Sequence, residues 1–169
     1  MKLIDILNEL YNTPQSIKNK QKELEDLGYT KIGVGDNGIV MQKKSDVKKL
    51  TTDVDELEHA EKLLNHSFSC IIPIYKVERL AGGKSGVIDM TNAEQLAPQE
   101  AEEIAANGSK AEDFLVYDEE LYPKLSDKLK QFLVSLKEAI EKAGINPDEI
   151  DWSPTNVMNY KGNYVLVDV

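Results

Sequence analysis

Two short stretches near the end of the chain carry residues suited to one kind of chemistry. Asp151-Trp152-Ser153-Pro154-Thr155-Asn156 sets a carboxylate and a carboxamide in one loop, and Val165-Leu166-Val167-Asp168 adds a second carboxylate soon after. Phosphoryl transfer needs a carboxylate to orient the acceptor hydroxyl and oxygen ligands for the magnesium ions on the phosphates. Magnesium takes hard oxygen donors and usually only one or two protein carboxylates. Asp151 suits the first role, and Asn156 with Asp168 suits the second. Gly162 lies midway in number between Asn156 and Asp168. A hairpin centred there would set the two nearly opposite, at roughly 5 Å between Cβ atoms.

A second set lies far upstream. Gly33-Val34-Gly35-Asp36-Asn37-Gly38-Ile39-Val40 matches G-x-G-x-x-G-x-V. Opening a helix, such a run would belong to a dinucleotide fold, but strand-like Ile39-Val40-Met41 follows, and the run reads as a glycine-rich hairpin. The next strand, Asp46-Val47-Lys48-Lys49-Leu50, offers two lysines to a phosphate. Alternation puts Lys49 on the face of apolar Val47 and Lys48 on the other. The helix after it offers Glu58 and Glu61 as partners for the lysine. With Leu57 and Leu64 taken as the buried face, Glu61 lies closest to it.

The elements that must hold these residues follow from periodicity. Leu3, Ile6, Leu7 and Leu10 have helical spacing, and Ser16 would cap a second helix ending at Gly28. Short strands are expected over 29–33, 39–43, 46–50, 71–77 and 86–90. Asp53 and Glu56 have capping-box spacing and open a helix to about Leu64. From Met90 onward the pattern turns helical. The stretch 93–110 is acidic and alanine-rich, with Pro98 and Gly108 as breaks. Leu125, Leu129, Phe132, Leu133, Leu136, Ile140 and Ala143 form one stripe that Gly144 ends. Two strands near Val157 and over 164–167 close the chain around a turn at 159–163.

Composition bounds the partners. The 169 residues carry a formal charge of -10. A field of that sign repels nucleic acid and anionic lipid, so neither is expected as a main partner. It also repels nucleotides unless lysines and metal ions neutralise the site locally. No stretch is long and apolar enough to cross a membrane, and Met1-Lys2-Leu3-Ile4-Asp5 does not begin a secretory signal. Cys70 alone forms no internal disulfide, and a cytoplasmic setting is expected. His59 and His66 are too few for a zinc site.

Read together, the segment Ile150 to Met158 resembles the catalytic loop of protein kinases and aminoglycoside-phosphotransferase-like kinases, H-R-D-L-x-x-x-N. Glu149-Ile150 stands where His-Arg would be, and Phe-Gly does not follow Asp168. The resemblance, which runs from about Tyr29 to Val169, implies an α+β fold: a truncated, two-lobed, kinase-like chain. Residues 1–28 would form N-terminal helices, 29–91 a small antiparallel sheet with one helix, and 92–169 a reduced helical lobe ending in the hairpin. It implies ATP and Mg2+ as cofactors, with Asp151 catalytic and Asn156 and Asp168 on metal. Gly33, Gly35 and Gly38 would cover the phosphates, and Val40 would pack on adenine. Main-chain groups near Asp89 to Thr91 would meet the adenine edge. Lys48, the match by string to V-A-I-K, or Lys49 would bridge phosphates, and Glu58 or Glu61 would hold that lysine. The expected partner is a nucleotide. A pseudokinase-like module working through a protein partner is the alternative.

Overall fold

The computed structural model describes residues 14–35, 37–64, 66–117, 125–150 and 153–168. The expected helix over residues 3–11 lies outside them. The fold is α+β, with an antiparallel sheet and four α-helices among the described residues. The chain divides into two units that interleave in sequence. Among the described residues, one holds those from 14 to 58 together with Tyr75–Met90, and the other those from 59 to 74 and from 91 to 168.

In the first unit, α1 (Gln15–Asp26) buries Ile17 and Leu24 and stops at Gly28, whose φ of 86° suits glycine. Pro14, not Ser16, is its N-cap residue. Proline fixes φ at a value ready for helix entry. Ser16 falls inside the helix, and its Oγ lies 2.9 Å from that of buried Ser85. A five-stranded sheet follows, in the order β1-β2-β3-β5-β4. Its strands are β1 (Thr30–Val34), β2 (Gly38–Lys43), β3 (Asp46–Thr51), β4 (Ile74–Arg79) and β5 (Gly86–Thr91). The β2–β3 register pairs Val40 with Lys49, Met41 with Lys48 and Ile39 with Leu50. Alternation therefore sends Ile39, Met41 and Leu50 to one face, where they bury with Ile17, Leu24 and Val87. Val40 and Lys49 share the other.

Helix α2 (Val54–Leu63) starts at Asp53, whose Oδ1 accepts from the amides of Asp55 and Glu56. That capping was legible from its spacing. The expected strand over 71–77 is split instead. Pro73 offers no N–H to a ladder. Beyond it Ile74 opens β4, while Cys70–Ile72 pairs with the C-terminal hairpin.

The second unit is built on α4 (Asp127–Ala143), which buries Leu129, Phe132, Leu133, Leu136, Ala139 and Ile140 along one stripe. Ser126 caps its start and Gly144, at φ 65°, its end. Helix α3 (Pro98–Tyr117) begins at one expected break, Pro98, and runs through the other, Gly108. Pro98 is its first residue, where a missing N–H costs nothing. Gly108 sits between buried Ile104 and Ala111, whose packing offsets the ~1 kcal/mol a mid-helix glycine costs. The chain closes with β6 (Val157–Tyr160) and β7 (Asn163–Leu166). No helix among the described residues is long and apolar enough to cross a membrane.

Candidate functional site

The residues singled out from the sequence fall in both units, and each set has its own geometry. In the first unit, the glycine loop joins β1 to β2. The Gly35 amide donates to the Gly38 carbonyl at 2.9 Å. Asn37 ties the loop down: its carbonyl accepts from the Thr52 amide at 2.8 Å and from both threonine hydroxyls, while its Nδ2 donates to Asp53. The three glycines are not equivalent. A Cβ on Gly38 would lie 2.5 Å from the Leu50 carbonyl oxygen, so only glycine fits. A Cβ on Gly35 would meet nothing within 4 Å, and one on Gly33 would make ordinary contact with Val40.

The two lysines have separate partners. Lys48 Nζ lies 2.7 Å from Asp89 and 3.7 Å from Asp46, and over the Tyr29 ring. Tyr29 in turn donates to Asp46. Burial pulls the Lys48 pKa down, but the hydrogen bond and charge of Asp89, with the Asp46 charge, outweigh it and leave it raised. This lysine is engaged in a local network. Lys49 Nζ lies 2.6 Å from Glu56 Oε1, and both side chains are largely buried.

The glutamate that meets Lys49 is Glu56, not the expected Glu58 or Glu61, both of which are exposed. The buried face of α2 is formed by Glu56, Leu57, His59, Ala60 and Leu63, while Leu64 is only partly buried. The observed face is rotated by about one residue from a face defined by Leu57 and Leu64. The capping spacing from Asp53 pointed at Glu56, but as a cap rather than as a partner.

In the second unit, Asn156 ends a short 3-10 turn, Pro154–Asn156, whose Ser153 cap accepts from the Thr155 amide. The hairpin register differs from the one expected. Its turn is the two residues Lys161-Gly162, with φ 53° and 86°, the backbone that tight hairpins favour. Tyr160 therefore pairs with Asn163, Val157 with Leu166, and the Val167 amide donates to the Asn156 carbonyl at 2.9 Å. Asn156 faces Val167, and Asp168 is one residue beyond. The approach to Asp168 is held on both sides. Leu166, wholly buried, donates to the Cys70 carbonyl and accepts from the Ile72 amide, at 2.9 and 3.0 Å. Asp151, the expected catalytic carboxylate, lies outside the described residues.

Comparisons with known proteins give two different likenesses. No protein-family profile matches the sequence. Large ribosomal subunit protein uL15 of Rickettsia rickettsii is 29% identical over 147 residues, covering 82% of this chain and 96% of that protein. The uL15 of Rickettsia felis matches at the same identity and coverage. Among solved structures, the Mycobacterium tuberculosis PknI kinase domain aligns at 13% identity and a TM-score of 0.46, covering 83% of this chain and 59% of that one. Aminoglycoside phosphotransferase APH(4)-Ia aligns at 13% identity and a TM-score of 0.44, covering 92% and 71%. The chain thus spans about three-fifths of the length of the kinase domain it matches. At this identity no residue-by-residue role passes from those proteins to this one.

Two further features complete the picture of the candidate residues. The Thr91 amide, expected near a ligand edge, donates to the Pro73 carbonyl at 3.3 Å. Among the described residues, no three His, Cys, Asp or Glu side chains gather as a metal cage. The oxygen donors Asn156 and Asp168 suit magnesium, which takes most of its remaining ligands from phosphates and water.

Proposed function

We propose that the chain is an ATP- and magnesium-dependent phosphotransferase of the kinase kind. The observation that carries this reading is the buried pair Lys49–Glu56 at 2.6 Å, on the sheet face that also bears Val40, directly after the glycine loop. A lysine held by a helix glutamate is one of the parts that kinase phosphoryl transfer requires. In this reading Gly33, Gly35 and Gly38 give the loop over the phosphates, and Val40 lies against adenine. Lys49, oriented by Glu56, meets the phosphate oxygens, and Asn156 and Asp168 hold magnesium. Asp151 orients the acceptor hydroxyl and takes its proton. Magnesium, when bound, supplies charge neutralisation on the phosphates. That matters in a chain whose net charge of -10 repels ATP.

The same charge weighs against carrying a ribosomal role over from uL15, because RNA affinity draws on an excess of lysine and arginine. It favours a second reading, in which a pseudokinase-like fold works without turnover through a basic protein partner. A cytoplasmic setting remains our proposal.

Calorimetric titration of ATP, with magnesium and with EDTA, on wild type and Asp168→Ala separates these readings. The phosphotransferase expects tight binding only for wild type with magnesium, and loss of transfer with retained binding in Asp151→Asn. Equal, negligible heats in all four titrations would leave the partner-binding reading.

A further inference from the structure

The second unit holds a cavity that the candidate residues leave unused. It measures about 200 Å³ and lies where α3 and α4 meet the 3-10 turn Pro147–Glu149. Glu112 and Leu115 stand three residues apart on α3 and so share a helix face. Buried Leu115 and Ile140 make the floor with half-buried Ile150, while exposed Glu112, Asp148 and Tyr117 stand at the rim. The turn fixes Asp148 from both sides. Its amide donates to the Asn146 side chain at 3.3 Å, and the Ile150 amide closes on the Pro147 carbonyl at 3.2 Å.

Volume and lining together choose the occupant. Cofactor and small-molecule sites run to roughly 300–1,000 Å³, so this cavity suits a single side chain instead. An apolar floor below two carboxylates suits a side chain with an apolar stem and a cationic end. Among the described residues no base lines the cavity, and neither the Glu112 nor the Asp148 carboxylate has a hydrogen-bond or ion-pair partner. No existing bond need break to admit a cation. Arginine fits better than lysine, because its guanidinium is weakly hydrated, stacks on a ring such as that of Tyr117, and meets carboxylates as a planar fork. The wider charge agrees. Among the described residues, acids outnumber bases only in the second unit, which steers a basic segment to this side.

We propose that this cavity docks an arginine side chain carried on a basic segment of a partner protein. The inference rests on the partner-binding reading, which it deepens by naming the surface, and it needs no turnover of ATP. One anchored side chain makes a small interface, so the contact is weak and quickly reversed.

The test uses the full chain and a short end-blocked peptide, one central arginine among glycines and lysines, carrying an uncharged fluorophore read by anisotropy. Replacing the arginine by citrulline keeps the shape and removes the charge. It should weaken binding about tenfold or more, and replacement by lysine about threefold, because charge-assisted bonds are lost or made less well. Glu112→Gln and Asp148→Asn should each weaken the arginine peptide about fivefold and leave the citrulline peptide unchanged. Both residues are exposed, so the variants fold. Glu102→Gln, an exposed position on the same helix outside the cavity, should stay within about twofold, as a distant surface charge does. Equal affinity for the arginine and citrulline peptides, or an equal loss in Glu102→Gln, would overturn the cavity and leave the partner-binding reading to a diffuse acidic surface. Free arginine amide binding as tightly as the peptide would assign the cavity to a small cation and overturn docking. No binding of any peptide would overturn the inference together with the basic-partner reading. ATP turnover, present or absent, bears on none of these outcomes.

Discussion

Lys48 and Lys49 are neighbours in sequence and strangers in structure. Lys48 lies on the sheet face of Met41 and Leu50, in a network with Asp89, Asp46 and Tyr29. Lys49 lies on the face of Val40 and meets a glutamate from helix α2. One residue of strand advance turns a side chain to the opposite face. The difference teaches that the partner, rather than the residue type, gives each lysine its work. Lys48 ties β3 to β5, whereas Lys49 is set by a helix beside the glycine loop.

The largest expected effect is on that contrast itself. Lys49→Met should lower magnesium-dependent ATP turnover by about a hundredfold or more, the loss typical of removing one preorganised charge donor. Lys48→Met should leave turnover within twofold yet destabilise by about 1–3 kcal/mol, because partly buried Asp89 loses its hydrogen bond. Steady-state phosphate release and urea unfolding on both variants measure this. Equal turnover losses would erase the distinction between the faces.

Next is the loop beside Lys49. Gly38→Ala forces a Cβ to 2.5 Å from the Leu50 carbonyl and should cost about 1–3 kcal/mol, as overpacking does. Gly35→Ala meets open space and should change stability by less than about 0.5 kcal/mol. Thermal unfolding of the two variants compares them. A tolerated Gly38→Ala would mean that the loop is not pinned to β3.

The smallest effect is an alkaline one on the Lys48 face. The Lys48 pKa is raised above its ordinary value, and the Tyr29 pKa is raised by its hydrogen bond to Asp46 and by burial. In both, the folded state holds the proton more tightly than the unfolded chain. Stability is therefore complete below the ordinary values of 10.5 and 10.0 and declines as pH rises through the folded ones. Urea midpoints taken from pH 9 upward should fall, and Lys48→Met should flatten the decline. An unchanged slope would assign the alkaline loss to other groups.

Much of this was legible from residues alone, because local rules govern it. The strands β1 to β3, the Asp53 cap of α2, the stripe of α4 and its stop at Gly144 depend on alternation, capping geometry and helical period. These are properties of a segment and its neighbours in sequence. So was the opposition of Lys48 and Lys49, since strand alternation needs no knowledge of what packs where.

Only the tertiary structure decided which glutamate Lys49 meets. The buried face of α2 includes Glu56, His59 and Ala60, residues whose hydropathy does not announce burial, and Glu58 and Glu61 turn to solvent. The terminal register was decided in the same way. A turn centred on Gly162 and a two-residue turn at Lys161-Gly162 differ by half a pair, and neighbouring residues resemble each other too closely to choose. The ladder chose: Val167 bonds to Asn156, and Leu166 is clasped by Cys70 and Ile72 beyond the break at Pro73. Partners distant in sequence set helix phase and strand register, because burial is settled by what comes to cover a face.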